Sequence, residues 1–204
     1  MTFDGSATDS AGRVNVRENG SVSYADGYLG QGAVVGDDGY ITISDYTPGT
    51  GSFTVAVWAK VSSVDGDPAL FATKNWSSGT NAGFALGITS TSLHANIGSG
   101  FGHRADLMPS VPADFLNTWV HYTFVVDRDA RQLKVSINFG RFYTVDFPAT
   151  LVNAPFEGLG TLAIGQDATG TYGSSMTCIV DEFMVFDHAL TQDELTALAQ
   201  SYAG

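Results

Sequence analysis

Two acids stand side by side, Asp181 and Glu182, in the apolar run Cys178 to Phe186 near the end of the chain. Neighbours on a strand point to opposite faces. Glycoside hydrolysis needs two carboxyl groups aimed at one bond, hence acids two apart on one strand face, and this pair fails that test. Asp65 and Asp67, like Asp127 and Asp129, have the right spacing but lie in short polar turns, where hydrophilic tips explain them more simply. The four histidines, His94, His103, His121 and His188, are scattered. There is no nucleophile elbow, no zinc-type histidine pair and no phosphate-cradling glycine loop. Catalysis is therefore not expected.

Recognition chemistry is better represented. Lys74 to Gly83 is a polar, glycine-containing loop with Trp76 in its middle and Asn75 and Asn81 beside it. Aromatic faces are what the C–H surfaces of sugars stack on. Trp76 either offers such a face or folds back to close the edge of the fold, as tryptophans often do. A second polar cluster runs from Asn96 through Phe101, His103 and Arg104 to Asp106, supplying amide and guanidinium groups suited to vicinal hydroxyls or a carboxylate. Arg104 has an internal alternative, an ion pair with Asp106 or another aspartate, and the alternative for Lys74 is a solvated loop charge. A third polar loop from Gln166 to Gly173 adds Asp167 and Tyr172 as weaker candidates. Trp58 lines an open face or sits beneath a loop, Trp119 reads as a packing anchor, and His121 as a hydrogen-bonded structural histidine.

These loops need a scaffold of strands. Alternation predicts strands over Val22 to Tyr24, Ala33 to Val35, Tyr40 to Ser44 and Ser52 to Ser62, then Pro68 to Thr73, Phe84 to Thr89 and Ser92 to Ile97. A hairpin of Trp119 to Asp127 and Gln132 to Phe139 follows, then Tyr143 to Phe147, Thr161 to Gly165 and the closing apolar strand. In that last strand strict alternation places Ile179, Phe183 and Val185 on one face and Cys178, Val180, Met184 and Phe186 on the other, with both faces covered. Asp181 then needs a cation, an arginine or a set of backbone donors. Thr191, with Glu194 three residues on and Leu190 and Leu195 as a staple, predicts a helix from about Gln192.

The chain has 204 residues, a length that suits one large β domain over 1–204. A net charge of −12 weighs against nucleic acid and anionic membranes as partners and is compatible with neutral sugars and calcium. Cys178 is the lone cysteine, so there is no disulfide framework. No transmembrane run is present in the sequence, so membrane insertion is not expected, and a monomer is expected. Met1 to Phe3 enter a strand pattern at once, which suggests a module excised from a longer protein.

In their order, several pieces resemble the laminin-G-like jelly-roll domains of the concanavalin A-like lectin/glucanase superfamily. They are Phe3-Asp4-Gly5 with Asp9-Ser10-Ala11-Gly12, Leu29 to Ala33, Phe53 to Trp58, Lys74 to Gly79, Trp119 to His121, Ile164 to Asp167 and the closing strand with its helix. The resemblance implies an all-β, two-sheet antiparallel jelly-roll sandwich with a short C-terminal helix, and places the Trp76 loop next to the Asn96–Asp106 stretch. It also implies a structural calcium ion held by Asp4 and Asp181, with carbonyls near Gly36 to Asp38 as further ligands; an Asx-type turn at Asp4 and capture of Asp181 by amides are the alternatives. The family often shows Lys-Asp-Trp where this chain has Lys74-Asn75-Trp76. The function expected from it is a non-catalytic carbohydrate-binding module of a secreted or cell-surface bacterial protein, appended to a catalytic domain and binding poly- or oligosaccharide through Lys74, Asn75, Trp76, Asn81, Asn96, Phe101, His103, Arg104, Asp106 and Asp167. The alternative is an adhesion or spacer domain that binds protein.

Overall fold

The computed structural model describes residues 1–9, 12–36 and 38–203. Its centre is β5 (Phe53–Asp65), whose alternate residues Phe53, Val55, Val57, Ala59 and Val61 are buried on one face. It pairs antiparallel with β10 (Trp119–Asp127) on one side and β14 (Ser175–Phe186) on the other. Beyond β10 lie β11 (Gln132–Ile137) and β12 (Tyr143–Asp146), and beyond β14 lie β3 (Gln31–Gly36) and β2 (Ser23–Asp26). The second sheet runs β1 (Asn15–Gly20), β4 (Gly39–Ser44), β13 (Thr161–Ile164), β6 (Ala69–Ala72), β7 (Gly83–Ile88), β8 (Leu93–Gly98) and β9 (Arg104–Leu107). Among the described residues the ladder joins the two only where Gly36 pairs with Gly39. Gly36 has φ +138°, and a Cβ there would overlap the Met176 carbonyl, so glycine is required at that corner.

The faces turned toward each other carry the core. Phe53, Phe71, Phe84 and Phe124 meet with ring centroids 5.0–6.3 Å apart, and each fully buried side chain of this size contributes about 1.5–3 kcal/mol. Two strands escaped the sequence reading. β1 is polar and exposed apart from half-buried Val16 and Asn19, a composition that protects a sheet edge. β9 is only four residues long, with Ala105 alone buried between exposed Arg104 and half-buried Asp106 and Leu107.

β14 departs from strict alternation. Asp181 pairs with Trp58 and Met184 with Ala56, three steps on one strand against two on the other, so an extra residue is inserted as a bulge. Glu182 takes φ +49° there. Phe183 is thereby turned into the core with Cys178 and Val180, not outward with Ile179, and Val185 is left exposed. The outer face is covered only in part. α1 (Gln192–Ser201) begins at Thr191 with the expected capping box, and Leu190 and Leu195 are buried beneath it. The Leu190 N–H donates to Thr54 Oγ1 at 3.0 Å, pinning the helix approach to β5. Trp58 sits beneath the 27–30 turn and α1, stacked on Tyr28 at 3.6 Å and edge-on to Tyr202, while His121 lies under Phe139 at 3.9 Å.

Candidate functional site

The Trp76 loop and the Asn96–Asp106 stretch do meet, on the outer face of the second sheet. β8 and β9 pair Asn96 with Asp106 and Gly98 with Arg104, so alternation sends all three polar side chains outward together. Arg104 Nε lies 2.9 Å from Asp106, whose other oxygen accepts from Asn96 Nδ2 at 2.9 Å. Asn96 Oδ1 in turn accepts from Lys74 Nζ at 2.6 Å, and Lys74 also donates to the Gly79 carbonyl at 2.9 Å. This string staples the 74–82 loop to the sheet.

Lys74 is wholly buried. Desolvation pulls its pKa from 10.5 down to about 7, the Asp106 carboxylate opposing and the Arg104 cation adding to the effect. Trp76 is 7% exposed and packs on Ala69, Ala72, Ala85 and Tyr172. Its indole N–H donates to the Asp67 carbonyl at 2.8 Å and its backbone N–H to Asp167 Oδ2 at 3.0 Å. Asp167, also buried, accepts from Thr169 as well, and Tyr172 donates to Asp67 Oδ1 at 2.7 Å. Trp76, Lys74, Asn96 and Asp167 are thus spent on holding the loop down, because the small Ala69, Ala72 and Ala85 leave a hollow that the indole fills. The expected stacking face on Trp76 is turned inward.

What faces solvent is the rim. Asn81 Nδ2 donates to the Asn75 carbonyl at 2.9 Å, and both residues are half-buried. The β8–β9 turn carries Phe101, 87% exposed, between Gly100 and Gly102, both at positive φ, with the Gly100 N–H anchored to the Thr80 carbonyl at 2.9 Å. His103 is exposed, and the Arg104 side chain keeps 49% of its surface open. The ring, guanidinium and imidazole form a projecting tip. Clefts of about 500 and 620 Å³ open elsewhere, neither lined by any of these residues.

The two acids expected to hold calcium serve backbone donors. Asp181 is buried, its oxygens accepting from the Leu29 and Glu182 N–H groups at 2.9 and 2.8 Å, and Asp4 Oδ1 accepts from Gln31 at 2.9 Å. Asp181 is held above the usual carboxylate range first by desolvation. Gly36 pairs with Thr177, four residues along β14 from Asp181 and so about 13 Å away, too far for its carbonyl to join the two acids. Asp38 lends its carbonyl to Ser21, and Asp37, Ser10 and Ala11 lie outside the described residues. Among the described residues no three His, Cys, Asp or Glu side chains cluster as a metal site. The donor set fits closure of the 27–31 turn, not an oxygen cage for calcium.

Arg128 went unrecognised in its turn. It is buried, stacks on Phe156 at 4.5 Å and donates to the carbonyls of Gly49, Gly51, Leu151, Val152 and Ala154. A charged residue between two aspartates gave no sign of this inward role.

Two antiparallel sheets in jelly-roll order define a β-sandwich domain. A family model described as the concanavalin A-like lectin/glucanases superfamily, of laminin G type, matches residues 35–196, and the chain belongs to that family. A search of curated proteins finds no match. Among solved structures the fold resembles the binding domain of Paraclostridial Mosquitocidal Protein 1, with TM-score 0.78, 16% identity and coverage of 95% of this chain and 48% of that one. It also resembles the binding domain of botulinum neurotoxin DC in complex with rat synaptotagmin II, with TM-score 0.73, 16% identity and coverage of 93% and 47%. A third likeness is to botulinum neurotoxin type C, which interacts with two ganglioside molecules, with TM-score 0.72, 16% identity and coverage of 93% and 47%. The chain spans about half the length of these structures.

Proposed function

We propose that this protein is a non-catalytic glycan-binding domain that engages polysaccharide surfaces through the β8–β9 tip. The observation that carries this is Phe101, a large ring held 87% exposed on a glycine-flanked turn beside the half-open Arg104 guanidinium. An exposed ring is costly in water and useful against sugar C–H faces, while the guanidinium and His103 supply hydrogen bonds to hydroxyls. Because the tip projects, it suits the flank of a polymer more than an enclosed monosaccharide. Such contacts are weak singly and act by raising the local concentration of whatever the domain is joined to, which we infer to be a glycan-active catalytic domain in a secreted or surface bacterial protein. Consistent with that placement, no helix among the described residues is long and apolar enough to cross a membrane.

The ganglioside and synaptotagmin partners of the similar toxins suggest the two ligand classes to compare. Gel retardation over a panel of soluble polysaccharides tests the reading. Phe101→Ala abolishes retardation and leaves the melting temperature unchanged; retention of full retardation by that variant overturns it. Absence of retardation with every glycan moves the tip to a protein-binding role.

A further inference from the structure

We propose that the cleft between the β11–β12 turn and the 110–112 segment is a second site, separate from the Phe101 rim, that takes a carboxylate-bearing saccharide. The cleft measures about 620 Å³, within the range of roughly 300–1,000 Å³ typical of small-ligand sites. Its walls are apolar and aromatic, from Val111, Phe142 and Tyr143, and its polar groups are Ser110, Asn138 and Arg141.

The charge of this lining sets it apart from the molecule around it. The chain has 21 acids against 9 Lys and Arg, yet the cleft is lined by Arg141 and no acid. Four of the other eight cations have partners: Arg104 and Lys134 pair with aspartates, and Arg128 and Lys74 are buried on carbonyl and amide oxygens. Arg141 stands exposed, without an ion pair or side-chain hydrogen bond among the described residues. A free planar fork of donors beside rings is the arrangement that receives a carboxylate in two parallel hydrogen bonds.

The site is also held in shape before any ligand arrives. Asn138 and Phe139 both take positive φ, 50° and 59°, conformations that are maintained only by outside contacts. Those contacts are present: the Asn138 N–H donates to the His121 carbonyl at 2.8 Å, Asn138 Oδ1 accepts from the His121 N–H at 2.9 Å, and Ser136 Oγ donates to the Gly140 carbonyl at 2.7 Å. Phe139 stacks on His121 at 3.9 Å on the outer face of the first sheet, which throws Arg141 and Phe142 toward the cleft. Across the gap, the Val111 N–H donates to the Thr91 carbonyl at 3.1 Å, and Ser110 bridges to Ser92. The backbone around the cleft is thus fixed before binding, and the Arg141 side chain is what a ligand has still to order.

Calorimetric titration of the whole chain with an oligohexuronate, and with the neutral oligohexose of equal length, tests the proposal. The uronate binds and the neutral sugar binds at least about tenfold more weakly at this site. Arg141→Gln removes that preference, Arg141→Lys recovers only part of it, and Phe101→Ala leaves it intact. The proposal is overturned if Arg141→Gln binds uronate as the parent does, if uronate and neutral sugar bind alike, or if uronate binding disappears in Phe101→Ala. That last result would place all recognition at the rim, whereas loss of polysaccharide retardation in Phe101→Ala with uronate binding preserved supports both sites.

Discussion

Lys74 shows how one buried ion can hold a loop and make it sensitive to pH. Its Nζ has two acceptors, Asn96 Oδ1 and the Gly79 carbonyl, which a neutral amine satisfies as well as an ammonium does. Its folded pKa of about 7 lies below the ordinary 10.5, so between those values the unfolded chain binds the extra proton. Stability from this group therefore rises as pH rises from about 7 toward 10.5, and is withheld below 7, where the buried ammonium must be carried uncompensated. Denaturant midpoints measured at several pH values across that window should climb more steeply for the parent than for Lys74→Met; equal slopes would mean the lysine is solvated. The polar residues of the Trp76 loop and its neighbours were legible as a cluster because they recur close in sequence. Their division into buried staples and exposed rim was not, since nothing in Lys74-Asn75-Trp76 says that three alanines on β6 and β7 leave room for an indole.

At the scale of elements, the β14 bulge decides which side chains of the closing strand are core. Glu182 occupies the left-handed region, its carboxyl raised above the usual range by desolvation and by Asp181, so neither its backbone nor its charge is well served. Glu182→Gly is expected to gain stability by about 1 kcal/mol, and Glu182→Val to lose at least about 1 kcal/mol, because a β-branched residue resists positive φ most. Urea unfolding of the two variants checks the order, and the reverse order would mean the bulge is not strained. The long strands β5 and β10 were readable from their alternation, since burial on one face writes a period of two into the sequence. β1 left no such trace because an exposed edge strand is polar on most of its length.

For the whole molecule, the N-terminal segment and β14 are joined through Asp4, Asp181 and the amides of the 27–31 turn, without a third acid among the described residues. Thermal melts in calcium and in chelator are therefore expected to coincide; a clear fall in melting temperature with chelator would restore a metal to this junction. With the rim at the β8–β9 turn and the Arg141 cleft at the β11–β12 turn, the sandwich would carry two recognition surfaces of different shape, a projecting ring and an open cationic cleft. The meeting of the Trp76 loop with the Asn96–Asp106 stretch was implied by the family resemblance, whereas from composition, alternation and turn residues alone came the all-β class, most strands and the capped final helix. Those properties depend on neighbours within a few residues or on the repeat of a single strand. The bulge that reverses Phe183, the inward indole, the buried Arg128 and Lys74, and the acid-free cleft around Arg141 were decided in three dimensions, where chain segments far apart in sequence compete for the same volume and the same hydrogen bonds.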